Sequence, residues 1–219
     1  MASKARKPAV GNRRSGDETR TLILRAAAHL FRKQGFARTG TRDIAARAGV
    51  PERLLYRHFG TKRQLFQQVA SAPLNEFVRH FIEYWDDREA QSLTLDDVSL
   101  KFVDGLMQLF AKNHRLIIDL VSGDIDDNPT SSVHVGSRLF NSLFENLTKH
   151  GRHEAAQLGT NAHTLSYDIR LAFALVLSVS LFGNLLFMGK PPSRRQQVEE
   201  IARFIVRGTS MPGALTVRS

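Results

Sequence analysis

An all-α fold is what this sequence predicts, on three observations. Apolar residues recur three and four apart through most of the chain. Ser, Thr and Gly stand where helices must start and stop. No segment alternates apolar and polar residues as a half-buried strand does. The 219 residues suit a small N-terminal helical unit fused to a larger helical one.

The elements follow in order. Residues 1–14 are basic, carry few large apolar side chains (Met1 and Val10), and read as a disordered arm. Ser15 and Glu18 have the spacing of a capping box, so a helix should begin near Gly16 or Asp17. Ile23, Ala26, Ala27, Leu30 and Phe31 share one face of it, and Gly35 ends it. Thr41 is the expected N-cap of a second helix buried through Ile44, Ala45 and Ala48 and closed by Gly49. Pro51 suits the first position of a third helix, because its missing N–H is not needed there. Leu55 and Phe59 would pin that helix, and Gly60 stops it. Thr61 and Gln64 form a second capping box, opening a helix toward Tyr84 in which Pro73 predicts a kink or break. Further helices are expected at 96–112, 115–122, 132–149, 165–188 and 194–207. A loop is expected at SGDIDDNPTSS, and irregular or weakly helical chain at 151–163.

Charge divides this chain unevenly. The net charge is +10, yet residues 1–66 hold 16 Lys and Arg against 4 Asp and Glu, a net +12, and the remainder is slightly acidic. That asymmetry is the footprint of a module that binds a polyanion. Its source is the stretch from Thr39 to Phe66, two short helices and a tight turn. This is the layout of a helix-turn-helix, which lays its second helix into the major groove of DNA. The chain has no cysteine, which excludes disulfides and thiolate metal sites and permits a reducing cytoplasm. The basic N-terminus has no apolar segment of the secretory kind.

Residues 19–66 resemble the tetracycline-repressor (TetR) family of bacterial transcription regulators. The resemblance lies in Leu30–Phe31 with Gly35–Phe36, Thr41–Arg42–Asp43–Ile44–Ala45 and Ala48–Gly49–Val50. It continues in Leu55–Tyr56–Arg57–His58–Phe59 and Lys62–Arg63–Gln64–Leu65. It implies a helix-turn-helix DNA-binding domain at 15–66, a ligand-binding and dimerisation domain at 67–210 and a flexible tail at 211–219. It also implies a cytoplasmic homodimer that a small effector releases from DNA. By position, Thr41, Tyr56, His58 and Lys62 would contact phosphate, with Arg42 beside Thr41, while Arg53 and Leu54 would face bases. Pro51, Arg53 and Leu54 depart from the small residues common there in the family.

Chemistry supports the same roles. Helix N-termini bind phosphate through free N–H groups, which suits Thr41 and Lys62. Arg53 can fork to guanine O6 and N7, hold a phosphate or stay solvated, and Leu54 can pack on a thymine methyl. Glu52 would repel phosphate, so it should turn away from the backbone or accept from a cytosine amino group. Two heads about 34–36 Å apart would engage successive major grooves of a near-palindromic operator.

Residues 171–189 are nearly apolar enough for a membrane span. Asn184 and the small residues Ser178, Ser180 and Gly183 instead favour a helix buried between a core and a partner. The expected homodimer seam is 165–188 with 194–207. Phe81, Trp85, Phe102, Phe110, Phe144, Tyr167 and Phe173 are the aromatic candidates to line an effector pocket. Arg170 would hold an acidic head group or pair with Asp168 or another surface acid. No cofactor or metal is expected. His150, His153 and Glu154 read as a solvated helix end, and the Asp124–Asn128 run lacks the glycine and terminal glutamate of a calcium loop. The rival readings are an activator or architectural DNA-binding protein without effector control, and more remotely a helical enzyme or membrane-associated protein. Arg53→Ala should relax preference at one base position, worth roughly 1–3 kcal/mol. Tyr56→Phe should weaken all duplexes alike, and a binding-site selection with each variant distinguishes the two effects.

Overall fold

The computed structural model describes residues 15–87, 92–122, 135–157, 165–189 and 191–209. Among them the chain is entirely helical outside its turns. The helices are α1 (Gly16–Gln34), α2 (Thr41–Ala48), α3 (Glu52–Phe59), α4 (Lys62–Asp86), α5 (Leu95–Lys112), α6 (His114–Ser122), α7 (Val135–Gln157), α8 (Leu165–Leu186) and α9 (Arg194–Thr209). The first fourteen residues, the SGDIDDNPTSS segment after Ser122 and the chain beyond Thr209 lie outside the described residues, and with them the expectations made for them.

Local chemistry sets several helix ends. Both expected capping boxes form: Ser15 with Glu18 and Thr61 with Gln64. A third, Thr94 with Asp97, opens α5 one residue before the expected start. The Thr94 side chain, and then its backbone N–H, hold the Asp97 carboxyl below its ordinary pKa. The stability this adds is therefore complete above the ordinary aspartate value and is lost as pH falls through the lowered one.

Four expectations need correction. Thr41 is the first helical residue of α2 and Gly40 is its N-cap, which leaves the Thr41 hydroxyl free to bond elsewhere. Pro51 is the N-cap of α3, and Glu52 is its first helical residue. Pro73 does not break α4, which runs 25 residues through it, because Leu74, Val78 and Phe81 continue the buried face. Helix α7 continues through Gln157, beyond the expected end at residue 149.

Two regions share one apolar core. In the head, α1, α2 and α3 close over Ile23, Ala27, Phe31, Ile44, Leu55 and Phe59. In the body, α5 is central, packed against α4, α8 and α9 through Val103, Leu106, Phe110, Phe173, Val176 and Ala202. Helix α4 crosses the expected boundary at 66/67 and belongs to both: Leu65 and Phe66 fill the head, Val78 and Phe81 the body. Phe66 is fully buried, with its ring edge-on to Phe31 at 5.1 Å and to Phe36 at 5.2 Å. Phe66→Ala should lower unfolding free energy by about 3–5 kcal/mol, read as a fall in the denaturant midpoint.

Candidate nucleic-acid interface and effector cleft

The turn between α1 and α2 orients the head. Gly35 adopts φ +83°, and a Cβ there would collide with the Arg115 guanidinium, so conformation and space both require glycine. Phe36 follows, and its backbone N–H donates to the buried Asp119 carboxylate of α6 at 2.7 Å. Arg115 steadies that carboxylate from 3.7 Å. From the other side the Lys62 ammonium donates to the carbonyls of Phe36 and Thr39, each at 3.1 Å, and lies 4.2 Å over the Phe36 ring. Thr39 closes the turn by donating to the Gly35 carbonyl at 2.6 Å. A second bridge joins head to body: Arg32 donates to Asn113 at 3.1 Å, while Asn113 donates to the Leu109 carbonyl at 2.8 Å.

Helices α2 and α3 meet through Gly49, whose left-handed conformation (φ 65°, ψ 40°) lets the Val50 N–H reach back to the Ala45 carbonyl at 3.1 Å. This turn places the start of α3 beside the start of α2. The Thr41 hydroxyl donates to Glu52 Oε1 at 2.6 Å and lies 3.2 Å from the Tyr56 hydroxyl. Arg42 Nε is 3.5 Å from Glu52 Oε2. Thr41, Arg42, Glu52 and Tyr56 thus form one cluster on the outside of the head, with the Arg42 side chain 90% exposed.

The expected contact residues divide. Thr41, Arg42 and Tyr56 come together in that cluster, and Arg53 projects exposed from α3. Leu54 is half-buried and leans on the core, which leaves less of it for a base. His58 is half-buried in the last turn of α3, near Gly16. Lys62 is half-buried and employed in holding the α1–α2 turn. Glu52 turns onto Thr41 and Arg42.

In the body, the expected pocket aromatics pack chiefly on one another. Phe81 lies 5.0 Å from Phe102 and 5.6 Å from Trp85, while Phe173 touches Phe110 at 5.4 Å and Phe144 at 5.1 Å. Tyr167 stands apart, 73% exposed on α8. Arg170 turns back to Ser166 and lies 4.9 Å over the Phe144 ring, with no bond to Asp168. A cleft of about 830 Å³ opens elsewhere, between α4 and α7, lined by Asn75, Val78, Ile82, Ser142, Asn146 and His150 among others. The His150 ring is half-buried, with Nε2 3.1 Å from Asp86 Oδ1, so it braces α7 against α4 and is not a solvated end. The side chains of His153 and Glu154 lie outside the described residues.

Sequence reasoning missed Asp119, Asn113 and the direction of Glu52. Asp119 and Phe36 are 83 residues apart, and no local pattern marks such a bond. The Glu52–Thr41 pair is 11 residues apart, within reach of helix-turn-helix geometry once the Gly49 turn is placed.

Comparison with known proteins places this geometry. Residues 23–69 match the family profile of the bacterial regulatory proteins of the tetR family. An HTH-type transcriptional repressor of Mycobacterium tuberculosis is 51% identical over 53 residues, which cover 24% of this chain and 28% of that protein. The HTH-type transcriptional activator FasR of Mycolicibacterium smegmatis is 38% identical over 77 residues, 33% of this chain and 35% of its own length. The chain therefore spans about a third or less of the length of these relatives. Among solved structures, a TetR-family regulator from Mesorhizobium loti superposes with a TM-score of 0.66 at 16% identity, covering 90% of this chain and 96% of that one. FadR of Bacillus subtilis, solved in complex with stearoyl-CoA, superposes with a TM-score of 0.63 at 15% identity, covering 86% of this chain and 98% of its own. At those identities the likeness is one of fold.

Asp119→Ala would strand the Phe36 N–H in the core and should lower unfolding free energy by about 1–3 kcal/mol. Asp119→Asn keeps an acceptor and should lose less. Urea unfolding of both variants measures the difference.

Proposed function

We propose, from the match of residues 23–69 to the profile of the bacterial regulatory proteins of the tetR family, that this chain belongs to that family and is a homodimeric transcriptional repressor. A hydrophobic or amphipathic small molecule releases it from a near-palindromic operator. The observation that carries this reading is a basic helix-turn-helix head joined to a body whose outer helix pair leaves a long apolar stripe uncovered. On α8 the residues Tyr167, Leu171, Ala174, Ser178, Phe182 and Leu185 follow one another at steps of three and four, and all but the half-buried Ser178 are exposed. Phe204 extends the exposed apolar surface onto α9. A stripe at that spacing is suited to a second helix pair.

By length and hydropathy α8 is also apolar enough to cross a membrane. Its neighbour favours a protein partner instead. Helix α9 packs on α8 and carries the exposed ion pairs Arg195–Glu199 and Arg203–Glu200, which a bilayer would penalise heavily. A Cβ at Gly183 would meet nothing within 4 Å, which leaves room for another backbone to approach. The seam proposed is therefore α8 with α9 of both copies, in a cytoplasmic protein.

The two heads then act as one reader, and the effector favours a body conformation that spaces them wrongly. The interior between α4, α5, α7 and α8 is rich in aromatic rings, and a separate cleft opens between α4 and α7. The proposed effector class rests on Phe81, Trp85, Phe102, Phe110, Phe144 and Phe173. The match to FasR, named an activator, favours a second reading in which DNA binding recruits transcription. Transcription in vitro from a selected operator separates the two: a repressor lowers output and an activator raises it.

Leu185→Asp and Phe204→Asp should each place charge in the seam. Native mass spectrometry should then give a monomer, and operator affinity should fall by more than about a hundredfold as the heads bind singly. A variant that stays dimeric with full affinity would remove the seam from α8 and α9.

A further inference from the structure

The phosphate-facing donors of the head already hold an anion, the carboxylate of Glu52. Thr41 has one hydroxyl proton, and it points to Glu52 Oε1 at 2.6 Å. The Tyr56 hydroxyl 3.2 Å from Thr41 must then be the donor in that pair, because the Thr41 proton is committed. Arg42, whose guanidinium is otherwise exposed, faces the second carboxylate oxygen at 3.5 Å. A DNA phosphate oxygen offers only acceptor capacity, so it needs these same protons. Glu52 is the only acidic residue of α3, in a segment otherwise rich in cations, and its side chain is about one-third exposed.

We propose that Glu52 is an internal competitor for phosphate: in the free head it occupies the donors of Thr41 and Arg42, with Tyr56 held on Thr41, and so weakens attachment to DNA whose bases do not match. This inference rests on the DNA-binding reading and adds a residue that sets specificity. Backbone contacts are blind to sequence. Any device that makes them harder to form lowers non-specific affinity and leaves base contacts to decide where the protein stays. Competition acts on each head separately, and it removes one cation per head from the counterion exchange that drives non-specific binding.

The test uses the full chain, a labelled random-sequence duplex and a salt series, with fluorescence anisotropy as the readout. Glu52→Gln removes the charge, and Glu52→Ala removes the acceptor as well while keeping a good helix former. Both should bind the random duplex about two- to fivefold more tightly per head. The slope of log affinity against log salt should steepen by about 0.9 per head. The gain of Glu52→Ala should shrink in a Thr41→Val background, because the competition needs the Thr41 hydroxyl. Equal gain with and without that hydroxyl would mean that only overall charge matters, and would overturn the proposal. Unchanged or weaker random-duplex binding by both variants, at unchanged melting temperature, would overturn it while the DNA-binding reading stands. Absence of binding to any duplex by the unaltered chain would remove the reading and the inference together.

Discussion

The orientation of the head depends on six residues, Gly35 to Gly40, and on two charged side chains that grip them from opposite sides. Asp119 of α6 takes the N–H of Phe36, and Lys62 of α4 takes the carbonyls of Phe36 and Thr39. A backbone turn has several low-energy shapes. Charged partners that satisfy its N–H and C=O groups inside the protein select one, since leaving those groups unbonded is costly. The Phe36 ring, between Phe31, Phe66 and the Lys62 ammonium, ties that shape to the apolar core. Helix α2 starts immediately afterwards, so its direction is inherited from this turn.

That grip also explains how head and body belong together. Helix α4 gives Leu65 and Phe66 to the head and Val78 and Phe81 to the body, and Asp119 and Asn113 reach the head from the helix α6 and its boundary with α5. A shift of α6 by a fraction of an ångström would be felt directly at Phe36. Under the proposed function, α4 and α6 are two stiff elements through which a change in the body would reach the head. The physical warrant is the set of charge-assisted bonds, which have a narrow distance range, unlike apolar contacts.

The exterior of the head carries a different logic. Its core contacts are saturated, while its outer cluster of Thr41, Arg42, Glu52 and Tyr56 is made of hydrogen bonds near water. Such bonds are readily exchanged, because water can replace either partner and a phosphate can replace the carboxylate. The same few side chains are therefore organised in the free protein and available for rearrangement. Lys62 shows the contrary case: its position at the start of α4 suited a phosphate contact, yet its ammonium is drawn inward to two carbonyls, so its charge serves the turn.

Local pattern determined the helices. Capping boxes at Ser15 and Thr61, the left-handed glycine at Gly49 and the three-and-four spacing of apolar residues are read within a few positions, and the physics behind them is equally short in range. The helix-turn-helix and the cationic N-terminal third were legible for the same reason. Tertiary structure decided the rest. Continuity of α4 through Pro73 depends on burial on both sides of it, and the fate of each aromatic depends on which helices meet. Phe173 became a hub of rings, and Tyr167, close by on the same helix, was left outside. Which way Glu52 turns, and that Asp119 holds Phe36, follow only when segments distant in sequence are brought within three ångströms. A hydrogen bond of that length has no signature in either segment alone.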